Sequence, residues 1–320
     1  MTPVPHIDRA AYFAMLDRTR QTFHAEYYAM YSSVLGGIVK DPLFMTVPVD
    51  DHMVHRGDGV FETLKCVAGG IYALQPHLDR LFTSASRVGL KPAWSKDEIG
   101  HIVAETVRAG GHRDTLIRIL LSRGSGSFGV SPYDCAKPGL FVVVHALKPA
   151  FMEAHPEGAR ACTSSVPVKS GTFANIKSCN YLPNAMMKKE AADKGCDFAL
   201  AFDERGFIAE GATENFGIVT SDRRLVIPRN DRILAGTTMQ RVVELARAQG
   251  VGTDVRDIAR AELDQCVEML IFGTTPDVTS VVTFDGKPVG DGKPGPVRNV
   301  LTALLDRDIR EPGPWRTEIF

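Results

Sequence analysis

Asn175-Ile176-Lys177-Ser178-Cys179-Asn180-Tyr181-Leu182, followed by a helical run and then by Glu210-Gly211-Ala212-Thr213-Glu214-Asn215, is the stretch that decides the fold. A lysine amine that can lose its proton, a phenol and a carboxylate, in that order, are the parts of a Schiff-base site. An isolated lysine belongs on a solvated surface, because lysine is almost never fully buried. Lys177 differs in its setting. It lies between strand-like residues and a helix opening near Pro183, where a side chain can point into a cleft. Desolvation there would lower its pKa and make it a nucleophile toward an aldehyde. Lys188 and Lys189 lie inside the helix and read as its solvated face.

On either side of this stretch the patterning divides the chain in two. Residues 7 to about 30 carry apolar side chains at helical spacing. Strands are expected at 44–49, 60–67 and 70–74, with Ala68-Gly69-Gly70 as a hairpin turn. Helices follow at about 76–88 and 96–110, then strands at 115–122 and 139–146, an α+β layer structure. Residues 151–158 continue a stretch with prolines, a glycine and no periodicity, and are expected to link a domain of residues 1–150 to one of 159–320. The second half reads as strands at 160–168, 197–202, 207–210, 215–220, 225–227 and 268–272. Its helices are expected at 181–194, 237–250 and 296–308.

Composition excludes several classes of function. The chain has 320 residues, 44% hydrophobic and 23% charged, with a net charge of −1, enough for two domains. Lys and Arg are scattered, which gives no footprint for a nucleic acid. The longest apolar stretch, Leu140-Phe141-Val142-Val143-Val144, is far too short to span a bilayer, and the N-terminus has no signal-peptide pattern. The six cysteines form no CxxC pair and read as free thiols of a cytoplasmic protein. Asp51-His52-Met53-Val54-His55 lacks the partner cluster of a zinc site, so an ordinary loop and no metal are expected there.

Gly124-Ser125-Gly126-Ser127-Phe128-Gly129 matches GxGxxG after a good strand. A dinucleotide site needs a helix to open at that point and an acidic residue about 20 positions later. Val130-Ser131-Pro132 starts no helix, so the stretch is expected to be a loop roofing a pocket.

A phosphate has better hosts. Gly236-Thr237-Thr238 opens an amphipathic helix, where unpaired amides, hydroxyls and the positive helix end suit an anion, although simple N-capping accounts for the same residues. Phe272-Gly273-Thr274-Thr275-Pro276 is a second Gly-Thr-Thr turn. Arg80 could add a bidentate charge.

Together these segments, from Arg56-Gly57-Asp58-Gly59-Val60-Phe61-Glu62 through Pro294-Gly295-Pro296, resemble the class IV pyridoxal-phosphate aminotransferases. This fold type IV group contains branched-chain aminotransferases, D-amino acid aminotransferases and aminodeoxychorismate lyases. The resemblance implies a two-domain α+β fold, with a small N-terminal domain and a larger C-terminal pseudo-barrel, in a homodimer that binds pyridoxal 5′-phosphate. It implies Lys177 as the catalytic Schiff-base lysine, Glu210 against the pyridine nitrogen and Tyr181 facing the phenolic oxygen. Arg80, Gly236, Thr237, Thr238 and Thr274 are implied for the phosphate, and Phe61, Arg118 and Thr275 for the substrate. The segment 47–61 is similar to plant-type D-amino acid aminotransferases, which favours a D-amino acid and a 2-oxo acid as substrates. Against that, the bacillary D-enzymes carry an Arg-x-His carboxylate trap where this chain has Phe128-Gly129-Val130. Arg118 falls where branched-chain enzymes carry a strand arginine, and Arg123-Gly124-Ser125-Gly126 is reminiscent of the lyases. A branched-chain aminotransferase, a lyase and a non-catalytic nucleotide-binding protein are the alternatives.

Overall fold

Two sheets organise the chain in the computed structural model, which describes residues 2–169 and 171–320. The first uses β1 (Tyr27–Ser32), β2 (Gly37–Val39), β3 (Gly59–Val67), β4 (Gly70–Tyr72), β5 (Thr115–Ser122) and β6 (Gly139–Ala146). The second uses β7 (Ala159–Thr163), β8 (Phe198–Phe202), β9 (Ile208–Gly211), β10 (Asn215–Val219), β11 (Leu225–Ile227), β12 (Thr253–Val255), β13 (Glu268–Gly273), β14 (Asp277–Phe284) and β15 (Lys287–Pro288). A last strand, β16 (Arg316–Glu318), returns to the first sheet. Around them lie α1 (Arg9–Leu16), α2 (His52–Arg56), α3 (Leu74–Arg87), α4 (Lys96–Gly110), α5 (Phe151–Ala154), α6 (Leu182–Asp193), α7 (Thr237–Ala248) and α8 (Pro296–Arg310).

The first sheet runs β16-β4-β3-β5-β6-β1-β2, antiparallel throughout. Leu64, Ile117, Ile119, Leu121 and Val142 bury one face of it against Leu78, Leu81, Ile99 and Val103 of α3 and α4. Both helices are amphipathic. α4 also has a full capping box, in which Ser95 Oγ accepts from Glu98 N and Glu98 Oε2 accepts from Ser95 N.

In the second sheet β9 pairs with β10, which closes β10-β13-β14-β7-β8-β9 into a six-stranded barrel. Phe216, Ile218, Met269, Ile271 and Leu200 fill its core, while α7 and α8 pack outside on Val219, Leu270 and Phe272. This is the two-domain α+β architecture expected, with the barrel in the second half.

Several elements differ from expectation. The apolar run after residue 7 breaks after α1, and its tyrosine-rich end, Tyr27-Tyr28-Ala29-Met30-Tyr31, forms β1, because aromatic residues fit a half-buried strand. Residues 44–49 form no strand: Pro42 starts a short 3-10 turn and Pro48 removes a ladder donor. The pair of histidines lies on a helix, α2, rather than in a loop. β2, β12, β14, β15 and β16 have no counterpart among the expected strands. Among the described residues no helix is long and apolar enough to cross a membrane.

Candidate active site

Lys177 lies in the second half of the sequence but is stitched to the first sheet. Phe61 N donates to Lys177 O at 3.0 Å and Cys179 N to Gly59 O at 2.8 Å, while Ile176 is buried in the α3/α4 core. Lys177 N donates to Ser84 Oγ of α3. Gly57 makes this approach possible: its φ of +67° caps α2, and a Cβ there would meet Asn180 Cα at 3.1 Å. Held on both sides, the lysine side chain points into a cavity of about 200 Å³ between the two sheets.

The amine is buried. Its Nζ lies 3.2 Å from Tyr181 Oη and 4.6 Å from the centre of the Phe61 ring. Burial lowers its pKa to about 8, with Arg80 and Arg118 pushing the same way and Glu62 and Glu210 opposing. Tyr181 caps α6 and packs edge-on against Phe61. Burial, then Glu210, raises its phenol, so Tyr181 stays protonated and can donate.

At the far side, Gly236 ends its loop with a Cβ position only 1.9 Å from Asn215 Oδ1, so no larger residue fits. Thr237 and Thr238, both buried, open α7 and line the cavity, and amides of a first helical turn have no partner within the helix. Thr274 Oγ1 donates to Thr63 O. Arg80 also lines the cavity. Its Nε and Nη2 donate to Glu62 at 2.8 and 2.7 Å, and Nη1 donates to Ala235 O, so the guanidinium is fixed in place.

Of the residues expected at the site, Lys177, Tyr181, Phe61, Arg80, Arg118, Gly236, Thr237, Thr238, Thr274 and Thr275 all line this one cavity. Thr275 and Arg118 are exposed at its rim. The Arg118 guanidinium sits 5.5 Å from the Phe61 ring centre, and it makes no ion pair or side-chain hydrogen bond with a described residue. Glu210 lies apart. It lines a small hollow on the other side of Tyr181, with Lys169 and Asn184. Its Oε2 accepts from Leu234 N at 3.0 Å, and burial nevertheless raises its carboxyl to about 7. Tyr181, Thr213, Asn215 and Leu234 wall both spaces. A larger cavity of about 610 Å³ beside α8 shares only the turn 274–276 with the site and contains neither the lysine nor the tyrosine.

The structure adds residues that sequence reasoning passed over. Glu62 and His77 are fully or almost fully buried beneath the Thr237 end. A carboxylate inside the apolar strand Val60-Phe61-Glu62-Thr63-Leu64, and a histidine one helical turn before Arg80, were the available signals. The glycine-rich segment 124–129 is a loop between β5 and β6, as expected. It is latched by α2, whose His52 Nε2 lies 2.9 Å from Ser127 O and whose Arg56 Nε donates to Gly129 O.

A family model described as "Amino-transferase class IV" matches residues 59–284. The chain is 39% identical over 295 residues to a protein of Arabidopsis thaliana named "D-amino-acid transaminase, chloroplastic", covering 90% of this chain and 78% of that one. It is 32% identical over 288 residues, 89% of this chain and 98% of the other, to a "Putative branched-chain-amino-acid aminotransferase" of Methanocaldococcus jannaschii. Its structure superimposes on the crystal structure of a branched-chain amino acid aminotransferase with pyridoxamine 5′-phosphate at a TM-score of 0.86 and 28% identity, covering 92% of this chain and 99% of that one.

Proposed function

This chain belongs to the class IV aminotransferases, and from that premise we propose that it moves an amino group from a D-amino acid to a 2-oxo acid, with Lys177 as the catalytic amine. What carries the catalytic assignment is a buried amine with a pKa of about 8, beside a phenol, facing a cavity. At pH 7 about a tenth of such amines are neutral, against about one in three thousand at the ordinary value.

Pyridoxal 5′-phosphate is the cofactor; when bound, it takes up the amino group and absorbs the charge left as the donor's Cα loses its proton. The donor set fits it. Thr237, Thr238 and Arg80 would hold the phosphate at the end that Gly236 keeps open, with Thr274 adding its backbone N–H, since its hydroxyl hydrogen is spent on Thr63 O. Tyr181 would donate to the phenolic oxygen. Glu210, hydrogen-bonded to Leu234 N, would hold a proton on the ring nitrogen. Lys177, once free as an amine, is the group that takes the Cα proton, because its Nζ is the one base inside the cavity that burial leaves partly neutral. Phe61 and Tyr181 pack around that amine and exclude water, and the unpaired Arg118 at the rim would receive the substrate carboxylate.

The preference for a D-amino acid rests on the 39% identity to the plant D-amino-acid transaminase, against 32% for the branched-chain relative. Arg118 and the structural likeness at 0.86 favour a branched-chain L-amino acid as the second reading. Half-reactions separate them. The yellow protein is mixed with D-alanine, D-methionine, L-leucine or L-glutamate singly, and the loss of its absorbance band is timed. Rapid loss with L-leucine and none with D-alanine would overturn the D-amino acid assignment. We take residues 1–150 and 159–320 as the two domains, with β16 of the second returning to the sheet of the first, and a homodimer as the active form. Exposed Val34, Leu35, Phe128, Val130 and Tyr133 support that dimer, and light scattering tests it.

A further inference from the structure

His77 is a buried titratable group that no step above uses, and it connects two charged partners to the phosphate end of the cavity. Its Nδ1 lies 2.7 Å from Glu62 Oε2, and its Nε2 lies 3.2 Å from Thr237 Oγ1. Glu62 is itself gripped by Arg80. Burial alone would raise the Glu62 carboxyl, but Arg80 and His77 hold it down at about 2. An ionised carboxylate only accepts, so His77 Nδ1 carries a hydrogen. The open question is Nε2.

Burial lowers the pKa of His77; Arg80 and Lys177 push the same way and Glu62 opposes them. Arg80 Nη2 lies 3.5 Å from Nδ1. On the other side Lys65, Tyr72 and Asp277 line a small hollow with His77 and Thr237, and there Lys65 and Asp277 neutralise each other as an ion pair. In the cofactor-free protein the ring is therefore neutral, and its Nε2 lone pair accepts the Thr237 hydroxyl hydrogen. The Thr237 oxygen then offers only lone pairs to the cavity, the wrong polarity for an anion. A proton on Nε2 reverses the series: His77 donates to Thr237, and the Thr237 hydroxyl turns to donate into the cavity. The incoming negative charge favours that same protonation.

We propose that capture of the cofactor's phosphate ester is coupled to uptake of one solvent proton by His77, which thereby acts as a positioning residue that turns Thr237 into a phosphate donor. This rests on the assignment of Thr237 to the phosphate.

The test titrates the full chain, freed of cofactor, with pyridoxal 5′-phosphate and with pyridoxal, which has the aldehyde but no phosphate. Calorimetry at about pH 8, where a phosphate monoester is already a dianion, is run in two buffers of different ionisation heat. The wild type should take up about one more proton with the phosphorylated ligand than with pyridoxal. His77→Gln should abolish that difference and weaken pyridoxal phosphate about tenfold, with pyridoxal binding unchanged. Equal proton counts for the two ligands in the wild type would overturn the proposal. Equal affinities would instead refute the phosphate assignment, and the proposal with it. If His77→Gln does not fold, nitrogen-labelled histidine spectra of the wild type decide. One ring nitrogen must move from an unprotonated to a protonated position with pyridoxal phosphate but not with pyridoxal, and no such shift overturns the proposal.

Discussion

Replacing Lys177 with methionine should stabilise the cofactor-free protein, and by an amount that depends on pH. Burial lowers the amine from its ordinary 10.5 to about 8. Each pKa unit corresponds to about 1.36 kcal/mol, so the charged amine costs the folded state about 3 kcal/mol at neutral pH. The sign follows from proton counting. Between about pH 8 and 10.5 the unfolded chain holds a proton that the folded chain has lost, so wild-type stability rises with pH across that window. Below pH 8 the full penalty is present and constant. Methionine has no proton to lose, so Lys177→Met should be more stable than wild type near pH 7. About 2 kcal/mol of that gap should close between pH 8 and 9.5. Urea unfolding of both proteins, followed through the fluorescence of Trp94 and Trp315, measures it. A gap that stays constant with pH would refute the claim that this amine is desolvated. The same variant should lose turnover by at least about 10²–10⁴-fold, so stability and activity move in opposite directions at one residue.

Glu210 gives the mirror case. Its carboxyl is raised to about 7, so the folded protein keeps a proton that the unfolded chain loses, and the cofactor-free protein should lose stability as pH rises from about 4.5 to 7. Glu210→Gln should flatten that slope in the same urea assay and lower the rate of Cα proton removal in single turnovers. Arg118→Met should raise KM for the amino donor about 10- to 100-fold, the worth of one charge-assisted bond, with cofactor affinity unchanged; equal losses in both would remove Arg118 from the substrate site. Gly236→Ala should cost about 1–3 kcal/mol in a thermal melt and weaken cofactor binding. The new Cβ meets Asn215 Oδ1, and Asn215 cannot swing aside without releasing its bond to Leu234 O.

The residues legible in the sequence were those whose local setting is unusual. Lys177 just ahead of a helix and the paired Gly-Thr-Thr turns stand out because a solvated surface does not require them, although a 3-10 turn at Gly171–Phe173, not the expected strand, leads into Lys177. The closed barrel could only be inferred from family resemblance: the β9–β10 pairing is local, but the ring also needs β7 beside β14, with Ala159 opposite Val281, a long-range pairing with no local signature. Glu62 and His77 were missed for a related reason. Each is ordinary in its own element, and their meaning appears only where β3, α3 and α7 meet. Residues 7–30 misled because apolar spacing at 3.6 continued into a segment whose tyrosines favour an extended backbone, and sheet packing outweighed the helical pattern.

The pairing of β16 with β4 carries a consequence for how the molecule is made. Arg316 reaches back to Val67 O and Ile309 O, and Phe320 N to Gly69 O, so the edge of the first-synthesised sheet is finished by residues made roughly 240 positions later. At a ribosomal pace of about 5–20 residues per second, the β4 edge waits open for some 10–50 seconds. Until then a nascent chain carries an unpaired strand flank, which is where a chaperone would be expected to sit.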